Sequence, residues 1–451
     1  MSDRSTSETS TFFEEQRPVT TITAIMLSVL FMGTGSALQN TALSLRAGIE
    51  GFPEPLIGVI MSVFYIGLAL GIFISSSTIR SVGYVRTFAA FASIGSATAI
   101  GHVIIINAYA WIVLRLMTGI CISVMLVVVE SWLNVSTSTY NRGRILSIYS
   151  VVYLASMGIG QPLLGLFSPS SYEIFGITTI LISFCLVPIT LAQVTGNPQS
   201  RSSPPQLLKT FMRSPLAGSG VMVSGLIFGA SWSLIPRYGQ QVGMPEASIG
   251  FLMLLVSLGT LAFQWPLGWL SDRRDRRQAI LLSTAVGFAA ALVIALTRAG
   301  GPFLYPLVLV FGGFSMPLYS LCIALMNDQL QPDEMVQAAG ALIVYYGVGS
   351  ATGPVIGGIF MARFGPVGLF YSMALPLGLY ILFAFLRLRF VPTIPVFRKL
   401  SFRPYPRTTS AAFSLLKKVK RPLKRRRGGA GSGDRGGSGS SVGVGSETPG
   451  T

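Results

Sequence analysis

Gly160-Gln161-Pro162-Leu163-Leu164-Gly165 and Gly353-Pro354-Val355-Ile356-Gly357-Gly358 are two versions of one pattern, set about 192 residues apart. Other positions keep nearly the same spacing. Leu56-Ile57-Gly58-Val59 is answered by Ser248-Ile249-Gly250-Phe251, Gly67 by Gly259, and Gly119 by Gly312. Each version lies inside a long apolar segment. Two similar apolar halves in one chain point to the architecture of a secondary transporter, with a solute held between the halves.

Composition agrees with this. Hydrophobic residues make up 51% of the chain and charged residues only 11%, whereas a soluble domain carries about 25% charge. The apolar residues fall into blocks of about 20, enough to cross a bilayer core as helix. Twelve such blocks are expected, roughly at 22–45, 56–77, 84–106, 109–133, 144–167, 174–194, 215–236, 247–270, 278–297, 302–325, 337–362 and 366–388. Gly, Ser and Ala are frequent in them and strict alternation is not, so helices are expected rather than a barrel. The predicted fold is an all-α membrane protein of twelve transmembrane helices in two pseudo-symmetric six-helix bundles. Its parts are a disordered leader at 1–20, bundles at 21–195 and 215–391, a linker at 196–214, and a tail at 392–451 that is basic and then Gly/Ser-rich. No signal peptide is read before the first span, which itself would direct insertion.

Basic residues set the expected orientation. With the tail left out, loops on the side of the N-terminus carry about 13 Lys and Arg, against about 4 on the other side. Both termini are therefore expected in the cytoplasm, with the chain in a plasma membrane of the bacterial inner-membrane kind. The net charge of +17 is not a nucleic-acid signal, because about +11 of it lies in the tail. The run from Lys417 to Arg427 is expected to rest on anionic lipid headgroups. Cys121, Cys185 and Cys322 lie in apolar spans without paired spacing and read as small hydrophobes. No metal, cofactor or enzymatic constellation is expected, and no phosphate-binding loop is found.

The sharpest motif is Gly268-Trp269-Leu270-Ser271-Asp272-Arg273-Arg274-Asp275-Arg276-Arg277, between spans eight and nine. It resembles the Gly-x-Leu-x-Asp-Arg-x-Gly-Arg-Arg signature of the major facilitator superfamily, with Asp275 where the signature has its second glycine. Such a loop can act as a latch: a carboxylate faces a helix N-terminus while arginines bind acids and carbonyls across the face. The first half holds a degraded copy with Arg80 in place of the aspartate. The expected cytoplasmic gate pairs Asp272 with Arg142 and Arg144, and Arg80 with the acidic loop carrying Asp328, Asp333 and Glu334; Gly268, Arg273, Arg276 and Arg277 complete it.

Val128-Val129-Glu130-Ser131 followed by Asn141-Arg142-Gly143-Arg144 is most similar, within that superfamily, to the YcaD-type permeases. Arg115 and Gly119 match the family's fourth-span Arg-x-x-x-Gly. The resemblance implies proton movement or anion binding at Arg115, and a cation there costs about 3 kcal/mol on insertion scales. Glu130 is either a proton carrier or a gate held by Arg142 or Arg144. It lies about 22 Å along the helix from Arg115, too far to pair with it. Gly349 to Gly358 matches a Gly-x-x-x-Gly-Pro-x-x-Gly-Gly pattern, in which Gly353, Gly357 and Gly358 permit close approach and Pro354 bends the helix. Gly160 and Pro162 form the looser copy in span five.

Polar groups expected near a central path are Asn40, Tyr153, Gln161, Tyr345 and Tyr346, with Gln39, Trp232, Gln264 and Trp265 as further candidates. His102 reads as an interfacial residue. The expected function is carriage of a small solute by alternating access, with the proton as coupling ion and the chain as monomer. The alternative is a sensor or scaffold that kept the fold and works through its basic tail.

Overall fold

The computed structural model describes residues 4–137, 141–191, 206–298, 301–331 and 334–388. The tail at 392–451, linker residues 196–205 and Asp333 lie outside them. Among the described residues, twelve helical spans are long and apolar enough to cross a membrane. They are span 1 (Thr21–Ile49), span 2 (Glu54–Val82), span 3 (Tyr84–Ile104), span 4 (Ala108–Ser136), span 5 (Arg142–Gly165) and span 6 (Glu173–Leu191) in the first half. The second half holds span 7 (Pro215–Gln241), span 8 (Glu246–Arg273), span 9 (Arg276–Thr297), span 10 (Gly301–Gln329), span 11 (Gln337–Phe364) and span 12 (Gly368–Arg387).

Local chemistry explains the corners. Gly51 turns at φ 75° and Pro53 precedes Glu54, so span 1 ends and span 2 begins within a few residues. Asn107 caps span 4, its Oδ1 accepting from the amides of Tyr109 and Ala110. The two signature loops turn differently. Gly83 uses a left-handed φ of 85°. Asp275 sits at φ −61° and caps span 9, with its carboxylate accepting from the amide of Arg277. The glycine missing from the second-half signature is therefore not needed for backbone reasons.

The helix that holds span 1 is described from Arg4 to Ile49. Two of the twelve spans depart from a single continuous α-helix. Span 5 is α-helical only to Ile159, and Gln161–Gly165 tightens into a 3-10 turn around Pro162. Span 10 is two helices, Leu304–Ser315 and Leu318–Gln329, broken where Pro317 removes a backbone donor.

The glycines of the repeat are contact points. A Cβ on Gly67 would strike the Leu116 carbonyl, and one on Gly119 the Phe64 carbonyl, so spans 2 and 4 meet backbone to backbone. In the second half, Gly259 lies on the Leu309 carbonyl and Gly312 on that of Val256, joining spans 8 and 10. Spans 7 and 11 pack through Gly225, Gly229, Gly349 and Gly353. Pro354 leaves the Ser350 carbonyl without its usual helical donor, and that carbonyl is directed at Gly229. Between the halves, span 1 meets span 7, span 2 meets span 11, and span 5 meets span 8. One end of the molecule carries Arg80, Arg142, Arg144, Lys209, Arg213 and Arg273 and is called here the basic end; the other is the far end.

Candidate functional site

A cavity of about 1330 Å³, its open mouth included, lies between the halves. Its wall runs from mid-span positions such as Asn40 and Trp232 toward the basic end at Ile72, Ser150 and Ile343. Of the sequence candidates, Asn40, Tyr153, Trp232, Gln264 and Tyr346 line it.

Arg115 is 1% exposed and stands behind that wall. Its Nη2 donates to Asn40 Oδ1 at 2.6 Å, and the guanidinium lies 4.5 Å from the centre of the Phe64 ring. Asn40 Nδ2 in turn donates to the carbonyl of Trp232 at 2.7 Å, across the boundary between the halves. A buried cation of the first half is thus tied through one amide to the backbone of the second. Glu130 is also buried, and its Oε1 accepts from the hydroxyl of Tyr149 at 2.9 Å. Arg142 donates instead to the Asn134 carbonyl at 2.6 Å. Tyr149 was not singled out from sequence, yet it connects the carboxylate to the cavity wall.

Other candidates lie elsewhere. Gln161 is buried where span 5 meets span 8, its carbonyl lying against Gly250. Tyr345 donates to the Leu207 carbonyl at 2.5 Å and so holds the short linker helix Leu207–Arg213. Gln39 is buried away from the cavity wall, and Trp265 is 74% exposed on the outer surface. His102, expected at an interface, is fully buried: Nδ1 lies 2.6 Å from the Thr98 carbonyl and the ring meets Trp111 edge-on.

At the basic end, in this conformation, the acids of the second half are engaged by cations of their own half or of the linker helix. Arg276 is 2% exposed and lies among Asp328 (2.6 Å), Asp272 (3.0 Å) and Ser271 (3.1 Å). It therefore staples spans 8, 9 and 10 of one bundle. Arg277 pairs with Asp275 at 2.7 Å, and Arg273 stacks 4.2 Å from the Trp269 ring. Arg80 is exposed and donates to the Ser76 carbonyl of its own helix, so it does not meet Asp328 in this conformation. Asp328 instead closes its own bundle, because span 10 ends beside the start of span 9. Glu334 holds Lys209 at 3.5 Å and Arg213 at 3.3 Å. The backbone amide of Gln331, and then the two cations, keep its carboxyl below the usual carboxylate range.

At the far end the halves are clasped. Arg237 on span 7 donates through Nε (2.9 Å) and Nη2 (2.6 Å) to Glu54 Oε1 on span 2, and Gln241 donates to the same oxygen at 2.7 Å. Ser44 reaches the Ser233 carbonyl at 2.5 Å, Gln240 reaches that of Leu45 at 3.2 Å, and Ser62 bonds the Ala351 carbonyl. Glycines seal the same contact: Gly58 lies on the Pro354 carbonyl, Gly358 on that of Glu54, and Gly250 on that of Gln161.

The cavity between two similar bundles agrees with comparison against known proteins. The profile of the Major Facilitator Superfamily matches residues 25–230 and again 217–427. An uncharacterised MFS-type transporter of Yersinia pestis is 28% identical over 355 residues, covering 78% of this chain and 91% of its own. The transporter YcaD of Salmonella newport is 27% identical over 361 residues, covering 79% and 93%. Among solved structures, a mutant of the nucleoside transporter NupG superposes with TM-score 0.69 at 11% identity, over 82% of this chain and 99% of that one. A bacterial homologue of the human lysosomal transporter Spinster, in an inward-facing and unoccupied conformation, gives 0.62 at 12%, over 88% and 97%. These are transporters rather than enzymes, and the two solved structures share the fold. The chain is a multi-pass membrane protein that belongs to the major facilitator superfamily, with relatives of the YcaD type.

Proposed function

We propose that this chain carries a small solute by alternating access, coupled to protons, with its basic end and both termini in the cytoplasm of a bacterium. The observation that carries the reading is the chain of bonds from Arg115 through Asn40 to the Trp232 carbonyl. It links a buried charge to a contact between halves that must break when the far end opens. A buried cation is costly to keep and marks function in a membrane protein. Glu130, reached from the cavity through Tyr149, is the group that would take and release the coupled proton. Arg80, Arg142, Arg144 and the acids of the second half form the cytoplasmic gate after the bundles rock together, when the far clasp is released. The protein works as a monomer, with its basic tail on anionic headgroups.

The test is pH change in proteoliposomes holding the purified protein, recorded on addition of metabolites and drugs. A solute-driven proton movement, lost in Arg115→Ala, is expected. Solute flux with no proton movement removes the coupling. No flux with any solute removes the carrier function and favours a sensor that works through its tail.

A further inference from the structure

We propose that the cavity selects neutral, ring-bearing solutes with hydrogen-bonding groups at their edge, and rejects ions of either sign. The inference rests on the carrier reading above. Two buried charged side chains that contact wall residues, Arg115 and Glu130, do not line the wall themselves. Arg115 stands behind the Phe64 ring and spends one donor on Asn40; Glu130 stands behind Tyr149 and accepts its hydroxyl. Phe64, Asn40 and Tyr149 form the wall, and Arg115 and Glu130 do not. Among the described residues that line the cavity there is no Asp, Glu, Lys, Arg or His.

What the wall offers is aromatic faces from both halves, Tyr65 and Tyr149 on one side and Trp232 and Tyr346 on the other, with the neutral amides of Asn40 and Gln264. An ion entering would give up its hydration shell and meet no counter-charge. A flat neutral ring gains area and edge-to-face or stacked contacts against those faces. Its hydroxyl or amide groups find partners that are polar but uncharged, so their desolvation is offset.

The test is calorimetric binding by the purified full chain, using triplets of ring compounds that differ in one group. Phenyl glucoside, phenyl glucuronide and the 6-amino glucoside form one triplet. Pyridylmethanol, pyridine carboxylate and pyridylmethylamine form another. The neutral member is expected to bind at least tenfold tighter than either ion, and Trp232→Ala to weaken it. Phe64→Ala uncovers Arg115 and is expected to raise affinity for the carboxylate about tenfold without raising that for the amine. An ion that binds the native cavity as tightly as its neutral counterpart overturns the proposal. So does an unchanged carboxylate affinity in Phe64→Ala, or no binding by any neutral member. Opening and closing of both faces is followed on the same protein by spin-label distances. A chain that switches faces but binds no neutral ring keeps the carrier function and loses the selectivity; a chain that never switches loses both.

Discussion

Arg115 donates to Asn40 at 2.6 Å, and nothing else among the described polar contacts joins the buried guanidinium to the opposite half of the protein. Asn40→Ala removes both bonds of that bridge and leaves a buried cation short of a partner. An unsatisfied buried group of this kind costs about 1–3 kcal/mol. Transport is expected to fall by about ten- to a hundredfold while the protein still folds, checked by solute uptake beside a melting curve. Uptake at the native rate means that the bridge has no part in transport.

The clasp of Glu54 and Arg237 at 2.6 Å is a closing contact of the far end. Glu54→Gln is expected to weaken closure by about 1–2 kcal/mol, a shift of about five- to thirtyfold toward the far-open state. Spin labels at Ile49→Cys and Val242→Cys, both exposed, read the opening. Exchanging the two charges, Glu54→Arg with Arg237→Glu, is expected to restore closure. A far-end distance unchanged in Glu54→Gln shows that the clasp does not hold the gate.

Glycines at the two kinds of contact are expected to respond differently. Gly67→Ala places a methyl group on the Leu116 carbonyl within one bundle and is expected to lower stability by about 1–3 kcal/mol. Gly58→Ala places it on the Pro354 carbonyl across the boundary between halves. It is expected to leave the melting temperature near the native value and to keep the far end open. Equal destabilisation by both would mean that the far seal is part of the folded core rather than a moving contact.

Asp328 and Arg276 are paired with side chains 1% and 2% exposed. Asp328→Asn leaves the guanidinium short of charge in a dry site and is expected to cost about 3–5 kcal/mol, read as loss of melting temperature. A variant as stable as the native protein shows that the pair does not staple its bundle.

Much of this was legible in the sequence because membrane physics writes long local patterns. Span length follows from bilayer thickness, and the glycines of the repeat had to lie where helices touch, as Gly67 with Gly119 and Gly259 with Gly312 now show. Arg115 was visible because a lone charge in an apolar span is costly. The clasp of Glu54 with Arg237 was not, since the two lie in different halves and no spacing links them. The bond of Asp328 to Arg276 in this conformation was not legible either, for a related reason. Loop charges show which groups share a face, and only packing shows that Arg276 is nearer than Arg80. Trp265 and Gln161 lie off the cavity wall in this conformation because helix rotation decides which side of an apolar span faces inward, and these spans have no polar stripe to report it.

The most direct measurement is a pair of spin-label distances, one across each end of the same protein in lipid. The native cysteines are buried, so labels go to exposed replacements: Ile49→Cys with Val242→Cys at the far end, and Val82→Cys with Gln278→Cys at the basic end. The account predicts two distances at each end that exchange in opposite senses as pH or solute is changed, and a far-end population shifted to the longer distance by Glu54→Gln. A far end fixed at its short distance under every condition, in the native chain and in Glu54→Gln alike, would contradict alternating access.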